Sequence, residues 1–491
     1  MTADNNKSIR RSMVYGSMWM VGMRWVVRFI GLISTVILAR VLTPEDFGVV
    51  AMAMIFAQLL ISFSQFGVDL ALIKDQKASE ELYHSAWTIK VLQNGVIALV
   101  IVLCSPFIVD YFDEERLTTI LYVISIGIFI NGFENIGVVA FRKDLDFAKE
   151  FRFNVYKKLI SFVVTISLAF VLKDYWALVI GIVTANVLAV ILSYRMHPFR
   201  PKIYFKSIPQ IWSFSQWMLI MGVSNFLNRK LDEFLVGGYK STSSMGTYNV
   251  AADIALLPSN EIVMPISRSL FPGYAKLAHD RNRLISAFIN VVSIVALVSV
   301  AASVGLMATS QEVIPILLGD QWLAAIPIVE WLALYGAILA FGSMFSNLLI
   351  AIGKIRWVAL FSLSYFIMLV PILYYTVINY DIEQMAMNRA LMFIGFGVGM
   401  LVMTSIVLEI NIMRFVAILW RPVLAALAMK FAIDYVGLLL ETNIYFTLIA
   451  KVCTGVGAYI LSLLILWLLS GMPKGAEATL LGFVKSKLKS S

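Results

Sequence analysis

Arg24 and Arg28 stand four residues apart inside VGMRWVVRFIGLISTVILAR (21–40), an apolar run long enough to cross a bilayer. On a helix, such residues lie one above the other on a single face. Arg11 precedes Arg24 by 13 residues and Arg40 follows Arg28 by 12. At 1.5 Å per residue, the pair is roughly 18–20 Å from either flanking charge, close to mid-membrane. Snorkelling moves a charge by only about one side-chain length, so it does not rescue both. A charge at that depth costs at least about 2.5 kcal/mol, and such residues normally face a bundle interior or a wet cavity. The chemistry expected of a basic cavity is anion binding. Each guanidinium offers a fork of donors matched to phosphate oxygens and stays charged at physiological pH.

A second charged stretch, SNFLNRKLDEFLVGGY (224–239), holds Asn228, Arg229, Lys230, Asp232 and Glu233 within two turns. Arg229 and Glu233 are spaced to pair along one face, with Lys230 and Asp232 pointing elsewhere. One reading is a self-neutralised cluster near the outer end of its span. The functional reading is a lining for the cavity opposite Arg24 and Arg28. Asp253 and Glu330 also fall inside apolar runs. An intramembrane carboxylate can titrate or hold a cation, so both join Asp232 as candidate sites for coupling to H+ or Na+. The alternative for each is a satisfied hydrogen bond between helices. Lys157 and Lys158 are expected to snorkel at a cytoplasmic surface, and His84, His197 and His279 to lie at cytoplasmic helix ends.

The elements that position these residues follow from composition. The chain has 491 residues, 60% hydrophobic and only 14% charged. Soluble domains are nearer half apolar and a quarter charged, so this is a multi-pass membrane protein. Apolar runs of about 18 residues or more mark fourteen spans, centred on Arg28, Phe56, Ile97, Ile126, Val163, Ile182, Val223, Ala255, Ala296, Tyr335, Met368, Gly395, Leu424 and Leu461. With both termini cytoplasmic, about 24 Lys and Arg fall on the cytoplasmic side and about four on the other. The net charge of +9 therefore reflects loop placement, and no nucleic-acid partner is expected. The polar, basic N-terminus precedes too long an apolar run to be a cleaved signal. Cys104 and Cys453 are far apart, each in an apolar run, so no disulfide or metal site follows.

A weak repeat appears at a spacing of about 200 residues, aligning Gly48 and Ala53 with Gly246 and Ala251. Six spans per half keep both halves in one orientation, with a pseudo-twofold along the membrane normal and a site between them. The expected divisions are a cytoplasmic N-terminus at 1–12, an N-lobe at 13–196 and a cytoplasmic linker at 197–210. A C-lobe at 211–410, accessory spans at 411–471 and a basic cytoplasmic tail at 472–491 complete the chain. There is no phosphate-binding loop, no His-Glu-x-x-His and no nucleophile elbow. Asp144–Leu145–Asp146 has no nucleotide-binding fold around it and reads as a solvated charge run. Neither enzymatic activity nor a cofactor is expected.

Several stretches together resemble one family: LARVLTPEDFGVVAMA (38–53), FSQFGVDLALIKD (63–75), LNRKLDEFLVGGY (227–239), MGTYNVA (245–251), LFPGYAK (270–276) and LLGDQW (317–322). They resemble the polysaccharide flippases of the superfamily that also contains multidrug-and-toxin exporters and the lipid II flippase. The colanic-acid and O-antigen exporter branch is the most similar, over roughly residues 10–410. The resemblance implies an all-α membrane fold of 14 helices, with two six-helix lobes in a V and two accessory helices. It also implies movement of an undecaprenyl-pyrophosphate-linked oligosaccharide across the bacterial cytoplasmic membrane by alternating access. Membrane lipids, a polysaccharide polymerase and a chain-length regulator are the implied partners. Arg28–Phe29–Ile30–Gly31 resembles the Arg-x-x-Gly of the lipid II flippase. That flippase's second arginine falls at Ser34, which makes lipid II a poorer cargo here. Asn228 and Asp232 match the Asn-x-x-x-Asp of the polysaccharide branch. An ion-coupled multidrug antiporter is the rival reading, and an acidic lining would suit it better than an arginine pair.

Overall fold

Where no water reaches the backbone, an α-helix satisfies each N–H and C=O within its own segment. The computed structural model follows that rule along the apolar runs. It describes residues 2–64, 72–73, 79–144, 146–206, 226–263, 274, 277, 279–440, 443–473 and 477. The chain divides into two units, Met1–Gly246 and Thr247–Ser491.

The first unit contains α1 (Thr2–Val41), α2 (Pro44–Ser64), α3 (Glu80–Phe112), α4 (Leu117–Gly132), α5 (Val139–Lys143), α6 (Phe147–Leu172) and α7 (Trp176–Met196). α8 covers 226–239, and α9 (Thr242–Ala255) crosses into the second unit. Local chemistry sets several boundaries. The Ser79 hydroxyl caps α3 by accepting from the Leu82 N–H, and Asp113 ends the helix in the left-handed region at φ 49°. Asp146 caps α6 by accepting from the Lys149 N–H and pairs with the Lys149 ammonium at 2.9 Å. Asp146 of the Asp-Leu-Asp run is thus a helix cap.

At the loop end of this unit, Arg116 bridges Glu45 and Glu114, each at 2.7 Å. Thr242 also donates to Glu114 at 2.9 Å. Hydrogen bonding from Arg116 holds the Glu114 carboxyl below the usual carboxylate range. Nearby, Gly48 and Gly246 make a reciprocal crossing. A Cβ on Gly48 would lie 1.8 Å from the Thr242 carbonyl oxygen, and one on Gly246 would lie 1.8 Å from that of Pro44. Each glycine meets the residue four positions before the other, so the two backbones touch symmetrically. The two glycines are a matched pair in space.

The second unit contains the rest of α9, then α10 (Arg281–Leu318), α11 (Ile326–Ala351), α12 (Ile355–Asn379), α13 (Ile382–Val407), α14 (Met413–Leu439) and α15 (Ile444–Leu469). Phe288, Phe345 and Phe415 pack edge-to-face at the centre of one core, with centroids 5.3–6.2 Å apart. A smaller core joins Ala425, Ala426, Met429, Ile433 and Tyr459. Large apolar side chains also face outward, including Phe431 at 80% exposure and Leu438 at 82%. Such surfaces are stable in hydrocarbon and costly in water.

Among the described residues, eleven helices are long and apolar enough to cross a membrane. The count is twelve if Leu117–Gly132 and Ile136–Lys143, bent by 67°, form one broken span. The fourteen read from sequence include the run centred on Val223, which lies outside the described residues. They also include the run centred on Ala255, where α9 has only 14 residues and a π-helical turn follows at Ser259–Val263. Pro258 lacks a backbone N–H, so the regular α pattern cannot continue there. Gly395 and Gly399 do not form one packing face as their spacing suggests. A Cβ on Gly399 would strike the Phe361 ring at 2.2 Å, whereas Gly395 has nothing within 4 Å.

Candidate functional site

α1 is continuous from Thr2 to Val41, so the spacing of Arg24, Arg28 and Gly31 translates directly into helical geometry. α6 runs alongside it in the same direction. Trp19 meets Phe151 edge-on at 5.0 Å, and the Asn154 amide donates to the Met23 sulfur at 3.6 Å. Further along, Leu38 and Leu42 share a core with Ala169. Arg24 is exposed and Arg28 half-buried, so the two stacked guanidiniums occupy different environments.

Between these contacts, α6 turns Lys158 toward α1. A Cβ on Gly31 would lie 3.8 Å from Lys158 Cε and 3.9 Å from its Nζ. Lys158 is half-buried, as is Arg28, which lies one turn before the glycine that Lys158 covers. Gly31 is three residues past Arg28 and lies on the neighbouring face. Alanine would still fit there, but a longer side chain would compete with the ammonium for space. Arg28, Gly31 and Lys158 therefore define a half-buried cationic site built from two helices.

Lys158 is the site residue that sequence reasoning missed. Lys157 and Lys158 were expected to share a surface role. Instead, Lys157 lies over the Phe153 ring at 5.5 Å, and Lys158 faces α1. Consecutive helical positions diverge by about 100°. The cap at Asp146 also starts α6 well before Lys157, so Lys158 is roughly 16 Å into the helix at 1.5 Å per residue. The capping residue was the overlooked signal for that depth.

α8 presents the second charged group. Lys230 pairs with Glu233, where spacing suggested Arg229 with Glu233. Glu233 is 4% exposed, Lys230 is half-buried and Arg229 is exposed. Burial of the carboxylate selects the lysine, because i,i+3 neighbours share a helix surface as well as i,i+4 ones. Asp232 is also buried, and Asn228 is half-buried. α8 is anchored to α3: Tyr111 stacks on Phe234 at 4.7 Å and donates to its carbonyl at 3.3 Å.

Of the other candidate carboxylates, Asp253 is exposed on α9. Glu330 on α11 accepts a 3.0 Å hydrogen bond from the Ser310 hydroxyl of α10. Further buried charges lie in the second unit. Lys451 meets Glu312 at 2.5 Å, and Arg421 meets Glu477 at 3.3 Å. Arg389, at 0% exposure, lies 4.9 Å over the Tyr335 ring and donates to its hydroxyl at 3.1 Å. Among the described residues, no cluster of three or more His, Cys, Asp or Glu could hold a metal.

Comparison with known proteins gives this geometry its context. Residues 37–327 match a family model described as "Polysaccharide biosynthesis protein". The chain is 23% identical over 356 residues to the lipopolysaccharide biosynthesis protein WzxC of Escherichia coli K12, covering 71% of this chain and 72% of that one. It is 23% identical to the succinoglycan biosynthesis transport protein ExoT of Rhizobium meliloti, covering 66% of each chain. Its fold is similar to that of the lipid II flippase MurJ in an inward closed conformation. That match has a TM-score of 0.76 at 16% identity and covers 92% of this chain and 98% of MurJ.

Proposed function

This chain belongs to the polysaccharide biosynthesis protein family, and on that premise we propose that it flips an undecaprenyl-pyrophosphate-linked oligosaccharide across the bacterial cytoplasmic membrane. The observation carrying this reading is Lys158 packed against Gly31, one turn past Arg28, with both cations half-buried. Two half-buried like charges on neighbouring helices repel each other. A pyrophosphate bridging them offsets that repulsion.

Arg28 clamps phosphate oxygens through its planar fork, and Lys158 adds a point charge from the facing helix. Arg24, one turn earlier on α1, is exposed and guides the approaching anion. Asn228, Arg229 and Lys230 supply polar contacts to the glycan. The mechanism is alternating access in two six-helix lobes, with 14 spans and cytoplasmic termini; the reciprocal Gly48–Gly246 crossing supports the repeat. Asp232, Asp253 and Glu330 are the carboxylates proposed to couple movement to H+ or Na+. A polymerase and a chain-length regulator act on the product at the outer face.

The test is reconstitution of the purified chain with a fluorescent undecaprenyl-pyrophosphate oligosaccharide, followed by quenching from one leaflet. Transfer should be faster with protein than without it and should respond to an imposed proton or sodium gradient. Transfer no faster than in empty vesicles rules out flipping. Indifference to both gradients removes the coupling assignment alone.

A further inference from the structure

The second unit holds a cavity of about 530 Å³ lined by Gln311, Glu312, Asp434, Leu440, Thr447 and Lys451. It lies where α10 and α14 end and α15 begins. Glu312 and Lys451 are 7% and 6% exposed. Lys451 reaches Glu312 by passing Gly437, where a Cβ would lie 2.8 Å from Lys451 Cε. The glycine in α14 makes the ion pair between α10 and α15 possible.

That pair is only half satisfied. Lys451 donates to Glu312 Oε1, while Glu312 Oε2 is buried with no hydrogen-bond partner among the described residues. An ionised carboxylate accepts through both oxygens, and an orphaned buried one calls for a ligand or another physical account. Asp434 adds a second carboxylate to the lining, tied on its exposed side to Lys430 at 2.6 Å. Lys451 has three N–H groups and directs one to Glu312, leaving two to offer. The wall therefore presents an acceptor pair beside a donor pair.

Depth identifies the source of the occupant. Glu312, Asp434 and Lys451 lie five to seven residues inside their helix ends, roughly 8–11 Å at 1.5 Å per residue. Helices of 26 and 27 residues overreach a hydrocarbon core of about 30 Å, which leaves these residues near the headgroup boundary. The geometry points to a binding site for the headgroup of an aminophospholipid. Its primary ammonium donates to Glu312 Oε2 and to Asp434, and its phosphate accepts from Lys451. In the orientation proposed above, this is an outer-leaflet lipid. The site is independent of the cargo assigned to Arg28 and Lys158.

The full-length protein should be placed in nanodiscs containing equal parts phosphatidylethanolamine, phosphatidylcholine and phosphatidylglycerol, and the retained lipids identified by native mass spectrometry. Phosphatidylethanolamine should be enriched roughly tenfold over the other two, the ratio expected from an ammonium-to-carboxylate hydrogen bond that neither competitor makes. Phosphatidylcholine keeps the positive charge but has no N–H, so it tests the hydrogen bond itself. Asp434→Asn, at a half-exposed position, and the cavity-filling Leu440→Trp should each remove most of the enrichment without unfolding the chain. Equal retention of the three lipids in the unmodified protein would overturn the assignment. Enrichment that persists in both variants would also overturn it.

Discussion

Lys158 of α6 points its ammonium at Gly31 of α1, with the Nζ atom 3.9 Å from where a glycine Cβ would stand. Arg28 lies three residues before that glycine on the same helix. Two parallel helices thus each carry a half-buried cation within one turn of that glycine. Such an arrangement suits the anion site proposed above.

Arg28→Ala should reduce surface polysaccharide and cause lipid-linked precursor to accumulate at unchanged protein level. Loss of one charge-assisted contact corresponds to roughly 10–100-fold in affinity. Arg28→Lys should retain part of the activity because it keeps the charge and loses the fork. Arg24→Ala, at an exposed position, should have the smaller effect. Normal export by Arg28→Ala would remove the clamp.

Lys158→Met keeps most of the side-chain volume and should reduce export nearly as much as Arg28→Ala. Lys157→Met should be close to neutral, since that lysine lies over Phe153. Gly31→Ala should be tolerated, whereas Gly31→Leu should displace the ammonium and match Lys158→Met. Equal export by the two lysine variants would refute the distinction between them.

Gly246→Ala places a methyl group 1.8 Å from the Pro44 carbonyl oxygen. Backbone cannot yield as a side chain does, so the loss should be at the upper end of the 1–3 kcal/mol (roughly) seen for overpacking. Gly395→Ala, with nothing within 4 Å, is the matched control. Thermal unfolding in detergent should separate the two variants clearly.

The pH response should appear at His197. Burial first, and then the charge of Lys149, hold this imidazole below its ordinary 6.5. Its Nδ1 accepts from the Phe199 N–H at 3.2 Å, which only the unprotonated nitrogen can do. A depressed folded value means that this local stability is complete above 6.5 and is lost as pH falls through the folded value. Deuterium exchange at the Phe199 amide should therefore accelerate as pH drops below 6.5, beyond the intrinsic trend. His197→Asn should abolish the excess.

How much of this was legible in the sequence depended on whether the signal was local. Apolar runs located the helices, and the recurrence of glycine at 48 and 246 marked two turns that meet in space. Arg28 stood out because its flanking charges are far away in an apolar run. Lys158 was obscured because the chain between Lys149 and Lys157 is polar, so helix and membrane boundaries were treated as one. Arg229 lost its expected partner because burial, which spacing does not reveal, chose between two allowed pairs. The Glu312–Lys451 pair joins residues 139 positions apart. Each is close enough to a helix end to read as an interfacial charge.

That separation bears on the order in which the protein is made. α10 leaves the ribosome carrying Glu312, and Lys451 follows 139 residues later. At about 5–20 residues per second, the carboxylate waits roughly 7–28 s for its cation. During that interval α10 has an unneutralised acid near one end and no reason to settle in its final place. The helix must be held by the insertion machinery, or keep its acid end in the headgroups, until α15 arrives. Assembly around this pair is therefore completed late: α15 admits the earlier α10 to the bilayer.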